Sequence, residues 1–163
     1  QARRAPDVAL QTIAGDTVRL SQLYKQSPLI LSVYLGVGCP MCVMTLKQLS
    51  QHAYRFRSYG WNVVAFSADA PEDNLAALRT PNLDSSFVQR GGEFEVELFS
   101  DQNRRAMEAF GCYRRELETE RHGLFLIDTA GVLRFEYIHR RPFQDWNSLA
   151  DTLRRIYFAP RPL

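Results

Sequence analysis

Short apolar runs alternate along the chain with stretches that have helical spacing. The apolar runs are rich in β-branched and aromatic residues and predict strands at 29–35, 61–67, 96–99, 124–127 and 132–138. The first and fourth runs are almost continuously hydrophobic, as is typical of strands covered on both faces, so we expect them near the centre of a sheet. The last run alternates polar and apolar residues and follows turn-forming residues, which predicts a C-terminal antiparallel hairpin.

The main helix is predicted directly after the first strand. Its apolar positions are spaced by three and four residues, and they are Cys39, Cys42, Leu46, Leu49, Ala53 and Phe56. This spacing forms one stripe along a helix. Both cysteines are therefore expected on the side of the helix that faces the core.

A second helix is predicted near residue 70, where Asp69, Pro71 and Glu72 form a favourable helix start. Thr80–Pro81 should end it, because the residue before a proline disfavours helical backbone. Residues 82–92 are expected to be irregular, with a short helix.

Two more helices complete the pattern. Asp101 is expected to cap a helix over 102–110 that Gly111 ends, and Pro142 is expected to open a last helix that runs to Tyr157. Strands that alternate with helices indicate an α/β fold with a central mixed sheet flanked by helices. We expect one domain over residues 1–163.

Composition removes several function classes. The 163 residues include 20 Lys+Arg and 18 Asp+Glu, and a net charge of +2 is too small to indicate a nucleic-acid or membrane-surface partner. The longest apolar run, at 28–37, is too short to cross a bilayer. A cytoplasmic location is the working expectation, and export stays an alternative because the chain begins with Gln1 instead of Met.

The cysteines carry the candidate chemistry. There are three, so they cannot all pair within the chain, and Cys39 and Cys42 have CxxC spacing after a glycine-punctuated turn. A thiolate in the first turn of a helix is stabilised by unpaired backbone N–H groups. The pair is thus a candidate for redox chemistry or metal binding. Cys112 is interpreted as a small core residue, with a resolving thiol as the alternative.

Several segments resemble the alkyl hydroperoxide reductase/thiol-specific antioxidant branch of the thioredoxin superfamily, the peroxiredoxins. They are residues 15–23 (GDTVRLSQL), 67–69 (SAD), 98–101 (LFSD) and 123–134 (GLFLIDTAGVLR). The resemblance runs from about Pro6 to Ile138. It implies a thioredoxin-like fold, cysteine-based redox chemistry without a bound cofactor, and either a protein thiol or disulfide partner or a hydroperoxide substrate.

The family motif P-x-x-x-T-x-x-C is altered in this chain. The resemblance places Cys42 at the peroxide-attacking position, Cys39 at the Thr, Leu35 at the Pro, and His122 at a more distant Arg, with Arg121 beside it as a substitute. The CxxC pair instead matches the thioredoxin arrangement. In that arrangement the first cysteine attacks and the deeper one resolves, so Cys39 would attack and Cys42 would resolve.

The leading hypothesis is a thiol–disulfide oxidoreductase with peroxiredoxin-like ancestry, which would also reduce peroxide if that activity is kept. Cys39 and Cys42 are expected to form a disulfide, with His122 and Arg121 as auxiliary residues. An alternative is a Sco-type copper metallochaperone that binds the metal through Cys39, Cys42 and His122. A third is a scaffold that has lost the chemistry. His52 and His139 are interpreted as surface residues, and His122 by itself as a loop residue.

Overall fold

The structure is a computed structural model that describes residues 2–79 and 94–158, without the side chains of 157 and 158. The strands are β1 (Ala9–Gln11), β2 (Thr17–Arg19), β3 (Leu29–Val33), β4 (Asn62–Ser67), β5 (Glu97–Ser100), β6 (Tyr113–Arg114), β7 (Thr119–Glu120), β8 (His122–Ile127) and β9 (Leu133–His139). The helices are α1 (Leu20–Tyr24), α2 (Pro40–Ser58), α3 (Pro71–Leu78), α4 (Arg105–Ala109) and α5 (Trp146–Phe158). The expected short helix within 82–92 lies outside the described residues.

A seven-stranded mixed sheet organises the molecule, in the order β2-β1-β5-β4-β3-β8-β9. Strands β3, β4 and β5 are parallel, whereas β8 is antiparallel to both β3 and β9. The expected α/β class, the interior positions of β3 and β8, and the C-terminal hairpin are confirmed. A small antiparallel sheet of β6 and β7 lies apart from the main sheet.

Helices cover both faces of the sheet and bury one apolar cluster on each. On one face, α2 and α5 pack on β3, β4 and β8, with Phe56 and Leu153 among the buried side chains. On the other face, α1 and α4 pack on the same strands, with Met107 and Phe125 among the buried side chains. The near-continuous hydrophobicity of β3 and β8 follows from this double coverage.

The predictions for two helices are wrong at their N termini. The last helix begins at Trp146 rather than at Pro142, because Asp145 accepts the backbone N–H of Ser148 and starts the helix there. The helix expected over 102–110 is only Arg105–Ala109. Asp101 does stabilise it, since its carboxylate accepts the Met107 N–H at 2.8 Å, but a turn lies between them.

His52 is not a surface residue as expected. It is half-buried and stacks on Phe56 and Trp146, with ring centroids 5.9 and 6.3 Å away. Burial, and then the charge of Arg55, lowers its pKa. His139, by contrast, is exposed as predicted. Within residues 2–79 and 94–158, no helix combines the length and apolar character that a membrane span requires.

Gly123 in β8 gives a first stability prediction. A Cβ at this position would lie 2.6 Å from both Cys112 Sγ and a Phe125 ring carbon. We expect Gly123→Ala to lower the free energy of unfolding by about 1–3 kcal/mol, because the core would have to shift to admit a methyl group. Urea unfolding measures this. Gly38→Ala is the matched control, because a Cβ there meets nothing within 4 Å; equal losses in the two variants would contradict the explanation.

Candidate active site

Cys39 and Cys42 lie at the N terminus of the 19-residue helix α2. Cys39 is the N-cap residue, and its sulfur accepts the backbone N–H of Cys42 at 3.3 Å. Pro40 follows in the first helical turn, where its missing N–H costs no hydrogen bond. The sequence therefore places one sulfur where the unpaired N–H groups of a helix can stabilise a thiolate.

The two thiols differ in burial. Cys39 is half-buried, whereas 0% of Cys42 is exposed. Burial, followed by the adjacent Cys39 side chain, raises the pKa of Cys42 to about 12. Cys42 is thus a protonated thiol at neutral pH. It lies in the first turn of α2, and it is more deeply buried than Cys39.

A short loop with a specialised backbone connects β3 to this helix. Gly36 has a φ of +142°, and its carbonyl accepts the Cys39 N–H at 3.2 Å. The next residue, Val37, donates its N–H to Asp69 Oδ2 at 2.8 Å. The same oxygen accepts the Ser67 hydroxyl at 2.7 Å. Asp69, two residues after β4, therefore holds the loop that precedes Cys39.

This role corrects the prediction that Asp69 starts the second helix. Helix α3 begins at Pro71 with Ala70 as its N-cap residue, and it has no side-chain cap. The carboxylate of Asp69 turns instead toward a loop that is distant along the chain. The sequence-based prediction missed this contact because only the parallel pairing of β3 with β4 brings the two segments together.

A buried polar network lies beneath the cysteine loop. The Tyr34 hydroxyl donates to Asn74 Oδ1 at 3.2 Å, and Asn74 donates to the Ser100 hydroxyl at 3.0 Å. Burial raises the pKa of Tyr34, and the charges of Asp69 and Cys42 add to this effect. The network ties the end of β3 to α3 and β5, just where the chain turns toward Cys39. Neither Tyr34 nor Asn74 carries a local sequence signal for this role.

His122 lies in strand β8 and is buried, which corrects the interpretation of a loop residue. The pairing of Val33 with Gly123 places His122 level with Tyr34, at the edge of the sheet where the cysteine loop begins. Burial lowers the pKa of His122, which favours the neutral imidazole. In the part of the chain that the structure describes, its side chain makes no hydrogen bond to Cys39 or Cys42.

The structure does not support the copper-site hypothesis. Among residues 2–79 and 94–158, no three His, Cys, Asp or Glu side chains are grouped closely enough to hold a metal ion. Cys39 and Cys42 are adjacent, but His122 does not complete a three-ligand set with them. The sequence identified three residues of types that bind copper, but it could not show whether their side chains meet at one point.

Arg121 and Cys112 lie together. The Arg121 N–H donates to the Cys112 carbonyl at 2.8 Å. Burial, with a smaller contribution from Glu136, raises the pKa of Cys112 to about 12, and the Arg121 charge opposes this shift. Cys112 belongs to the α4 side of the sheet, whereas Cys42 belongs to the α2 side. The sheet therefore separates Cys112 from the cysteine pair, consistent with a core residue.

The chain segment that contains Cys39 is uncharged. Residues 28–46 include no charged side chain. Met41 and Met44 are 48% and 45% exposed on the first turns of α2, beside the half-buried Cys39. The first turns of α2 therefore present two exposed, polarisable thioethers and no charged side chain.

Comparison with known proteins assigns the family. The model of the AhpC/TSA family matches residues 2–136, which include the cysteine loop, the Asp69 carboxylate and His122. The chain belongs to the AhpC/TSA family. Its membership confirms the resemblance found in the sequence.

The relatives of this AhpC/TSA chain include peroxiredoxins. It is 31% identical over 143 residues to a probable peroxiredoxin of Caenorhabditis elegans, covering 87% of this chain and 61% of the relative. It is 29% identical over 133 residues to peroxiredoxin-2 of Cricetulus griseus, covering 80% of this chain and 65% of the relative. The chain thus spans less than two thirds of the length of these relatives.

Solved structures confirm the fold. A peroxidoxin of Mycobacterium tuberculosis superposes with a TM-score of 0.75 at 22% identity, covering 95% of this chain and 96% of the other. The mitochondrial 2-Cys peroxiredoxin of Plasmodium falciparum gives a TM-score of 0.75 at 20% identity, covering 95% and 92%. The thioredoxin-like architecture expected from the sequence is therefore shared over nearly the whole length of these chains.

Proposed function

We propose that this protein is a dithiol oxidoreductase that reduces a hydroperoxide, with Cys39 as the attacking thiol and Cys42 as the resolving thiol. The unequal burial of two thiols at one helix N terminus carries the proposal. Cys39 is half-buried at the helix tip, whereas 0% of Cys42 is exposed. Membership of the AhpC/TSA family and similarity to peroxiredoxins support a hydroperoxide as the substrate.

The chemistry needs only the two sulfurs and an external reductant. The Cys39 thiolate attacks a peroxide oxygen, so that an S–O bond forms, the O–O bond breaks, and an alcohol or water leaves after taking up a proton. The Cys42 sulfur then attacks the sulfenic acid of Cys39, forming the disulfide, and its proton departs with the hydroxide as water. The peroxide gains two electrons and the cysteine pair loses two, and a partner thiol restores the pair by exchange.

The burial of Cys42 suits the resolving role. Its pKa of about 12 keeps it protonated at neutral pH, so it does not compete for the peroxide. It also carries the proton that the departing hydroxide needs. The Cys42 N–H already donates to the Cys39 sulfur within one helical turn, so disulfide formation requires little backbone motion.

Thiol–disulfide exchange with a protein partner is the second candidate function. The uncharged segment around Cys39, with the exposed Met41 and Met44, favours it, because flexible thioethers at the start of α2 can pack against an apolar peptide segment. This function would use the same two thiols in the same roles. It differs in the oxidant, which would be a partner disulfide instead of a hydroperoxide.

Intact-mass analysis tests the proposal. Reduced protein treated with an equivalent of hydrogen peroxide is expected to lose two hydrogen atoms, with peptide mapping locating the bridge between Cys39 and Cys42. A parallel sample treated with a disulfide-bonded peptide tests the second candidate. Persistent gain of oxygen without a bridge, or a main product bridged through Cys112, would contradict the assigned roles.

A further inference from the structure

We propose that Asp69 is a positioning residue for the Cys39 thiol, acting through hydrogen bonds that hold the loop before α2. The inference rests on the proposed function, in which Cys39 attacks the substrate. Asp69 Oδ2 accepts two hydrogen bonds, from the Val37 N–H at 2.8 Å and from the Ser67 hydroxyl at 2.7 Å. The Asp69 N–H donates back to the Ser67 oxygen at 3.1 Å, which fixes the carboxylate in one orientation.

Gly36 connects Asp69 to Cys39, because it contacts both residues. A Cβ at Gly36 would lie 3.1 Å from Asp69 Oδ1, so the backbone of Gly36 packs directly on the carboxylate. The Gly36 carbonyl in turn accepts the Cys39 N–H at 3.2 Å. Asp69 therefore touches the residue that orients the backbone of the attacking cysteine.

No other described contact accounts for the carboxylate. Helix α3 follows Asp69 without a side-chain cap. Among the salt bridges of the described residues, none includes Asp69. Among residues 2–79 and 94–158, the side-chain hydrogen bonds of Asp69 go to the cysteine loop and to the serine that orients it.

The hydrogen bonds, rather than the charge, must provide the benefit. A carboxylate near a sulfur disfavours the thiolate, and the Asp69 charge already helps to raise the pKa of the neighbouring Tyr34. The geometric effect acts in the opposite direction. It keeps Cys39 at the N-cap position, where its sulfur accepts the Cys42 N–H.

Two substitutions of Asp69 separate geometry from charge. Asp69→Asn keeps an oxygen that accepts the Val37 N–H and removes the charge, whereas Asp69→Ala removes both. The rate of Cys39 alkylation by iodoacetamide at pH 7 is measured by peptide mass. We expect Asp69→Ala to slow it about fivefold, because the sulfur loses its alignment with the helix N terminus, and Asp69→Asn to stay within about twofold of wild type. The thiol–disulfide equilibrium with glutathione should shift in Asp69→Ala and be restored in Asp69→Asn.

Asp101→Ala is the matched control. Asp101 lies just after the neighbouring strand β5, is 4% exposed, and accepts the Met107 N–H of α4 instead of a cysteine-loop N–H. It is expected to lower the thermal unfolding temperature without changing the alkylation rate. Ser67→Ala, which removes one donor and leaves Asp69 in place, is expected to slow alkylation about twofold and serves if Asp69→Ala does not fold.

Three outcomes would overturn the role of Asp69. They are wild-type alkylation in folded Asp69→Ala, wild-type alkylation in Ser67→Ala, and equal slowing in Asp69→Asn and Asp69→Ala. Alkylation does not require a hydroperoxide substrate. Failure of wild-type protein to consume peroxide would therefore refute the proposed function while leaving the positioning role open to its own test.

Discussion

Cys39→Ser is expected to abolish peroxide consumption, whereas Cys42→Ser should still consume an equivalent of peroxide and stop as the sulfenic acid of Cys39. In Cys39→Ser the thiol that remains at the site is Cys42, with a pKa of about 12. At pH 7 such a thiol is ionised on the order of one part in 10⁵, so the reaction should slow by orders of magnitude.

Stopped-flow measurement of peroxide loss, with trapping of the sulfenic acid by a dimedone reagent, checks both variants. Cys112→Ala is the matched control, because Cys112 is equally buried but lies on the opposite side of the sheet, and it should behave as wild type. The alignment to the family motif makes the opposite prediction, in which Cys42 attacks. Retained peroxide consumption in Cys39→Ser with complete loss in Cys42→Ser would establish that order and refute ours.

The sequence predicted the parts of the fold that local patterns determine. The strong apolar runs marked β3, β4, β5, β8 and β9, and the stripe from Cys39 to Phe56 marked α2. Strands β1 and β2 were missed, because each has only three residues and exposes part of them, so no alternation is visible. The segment 15–23, which carries part of the family resemblance, includes β2 but not β1, so it did not show the hairpin.

The candidate site was predicted only in part, for a physical reason. Helix position and CxxC spacing are local, so the placement of Cys39 and Cys42 could be inferred from neighbouring residues. The contacts of Asp69, the burial of His122 and the location of Arg121 beside Cys112 depend on the pairing of distant strands. A local pattern assigned Asp69 to a helix cap, and the fold placed it against the loop that precedes Cys39.

Alkaline pH should destabilise the reduced protein through its two buried thiols. Burial is the main factor that raises the pKa of Cys42 and of Cys112 from 9.0 to about 12. Between these values the unfolded chain has lost the proton that the folded chain keeps, so the free energy of unfolding falls as pH rises. The slope is about 1.4 kcal/mol per pH unit for each thiol. Raising the pH to 10.5 should therefore lower the free energy of unfolding by roughly 2 kcal/mol per thiol. The free energy of unfolding of a typical domain is about 5–15 kcal/mol, so this loss is a large part of it.

Urea unfolding at pH 8 and pH 10.5 measures this loss, and oxidation provides an internal control. The Cys39–Cys42 disulfide removes Cys42 from the titration, so the thiol contribution to the loss should be about half as large in the oxidised protein as in the reduced protein. Cys112→Ala should halve the thiol contribution in the reduced form and nearly eliminate it in the oxidised form. The raised pKa of Tyr34 adds a similar amount in all four species, so their differences isolate the thiols. Equal losses in all four species would show that neither thiol has the raised pKa that its burial requires. They would also remove the main argument that Cys42 stays protonated until Cys39 has reacted.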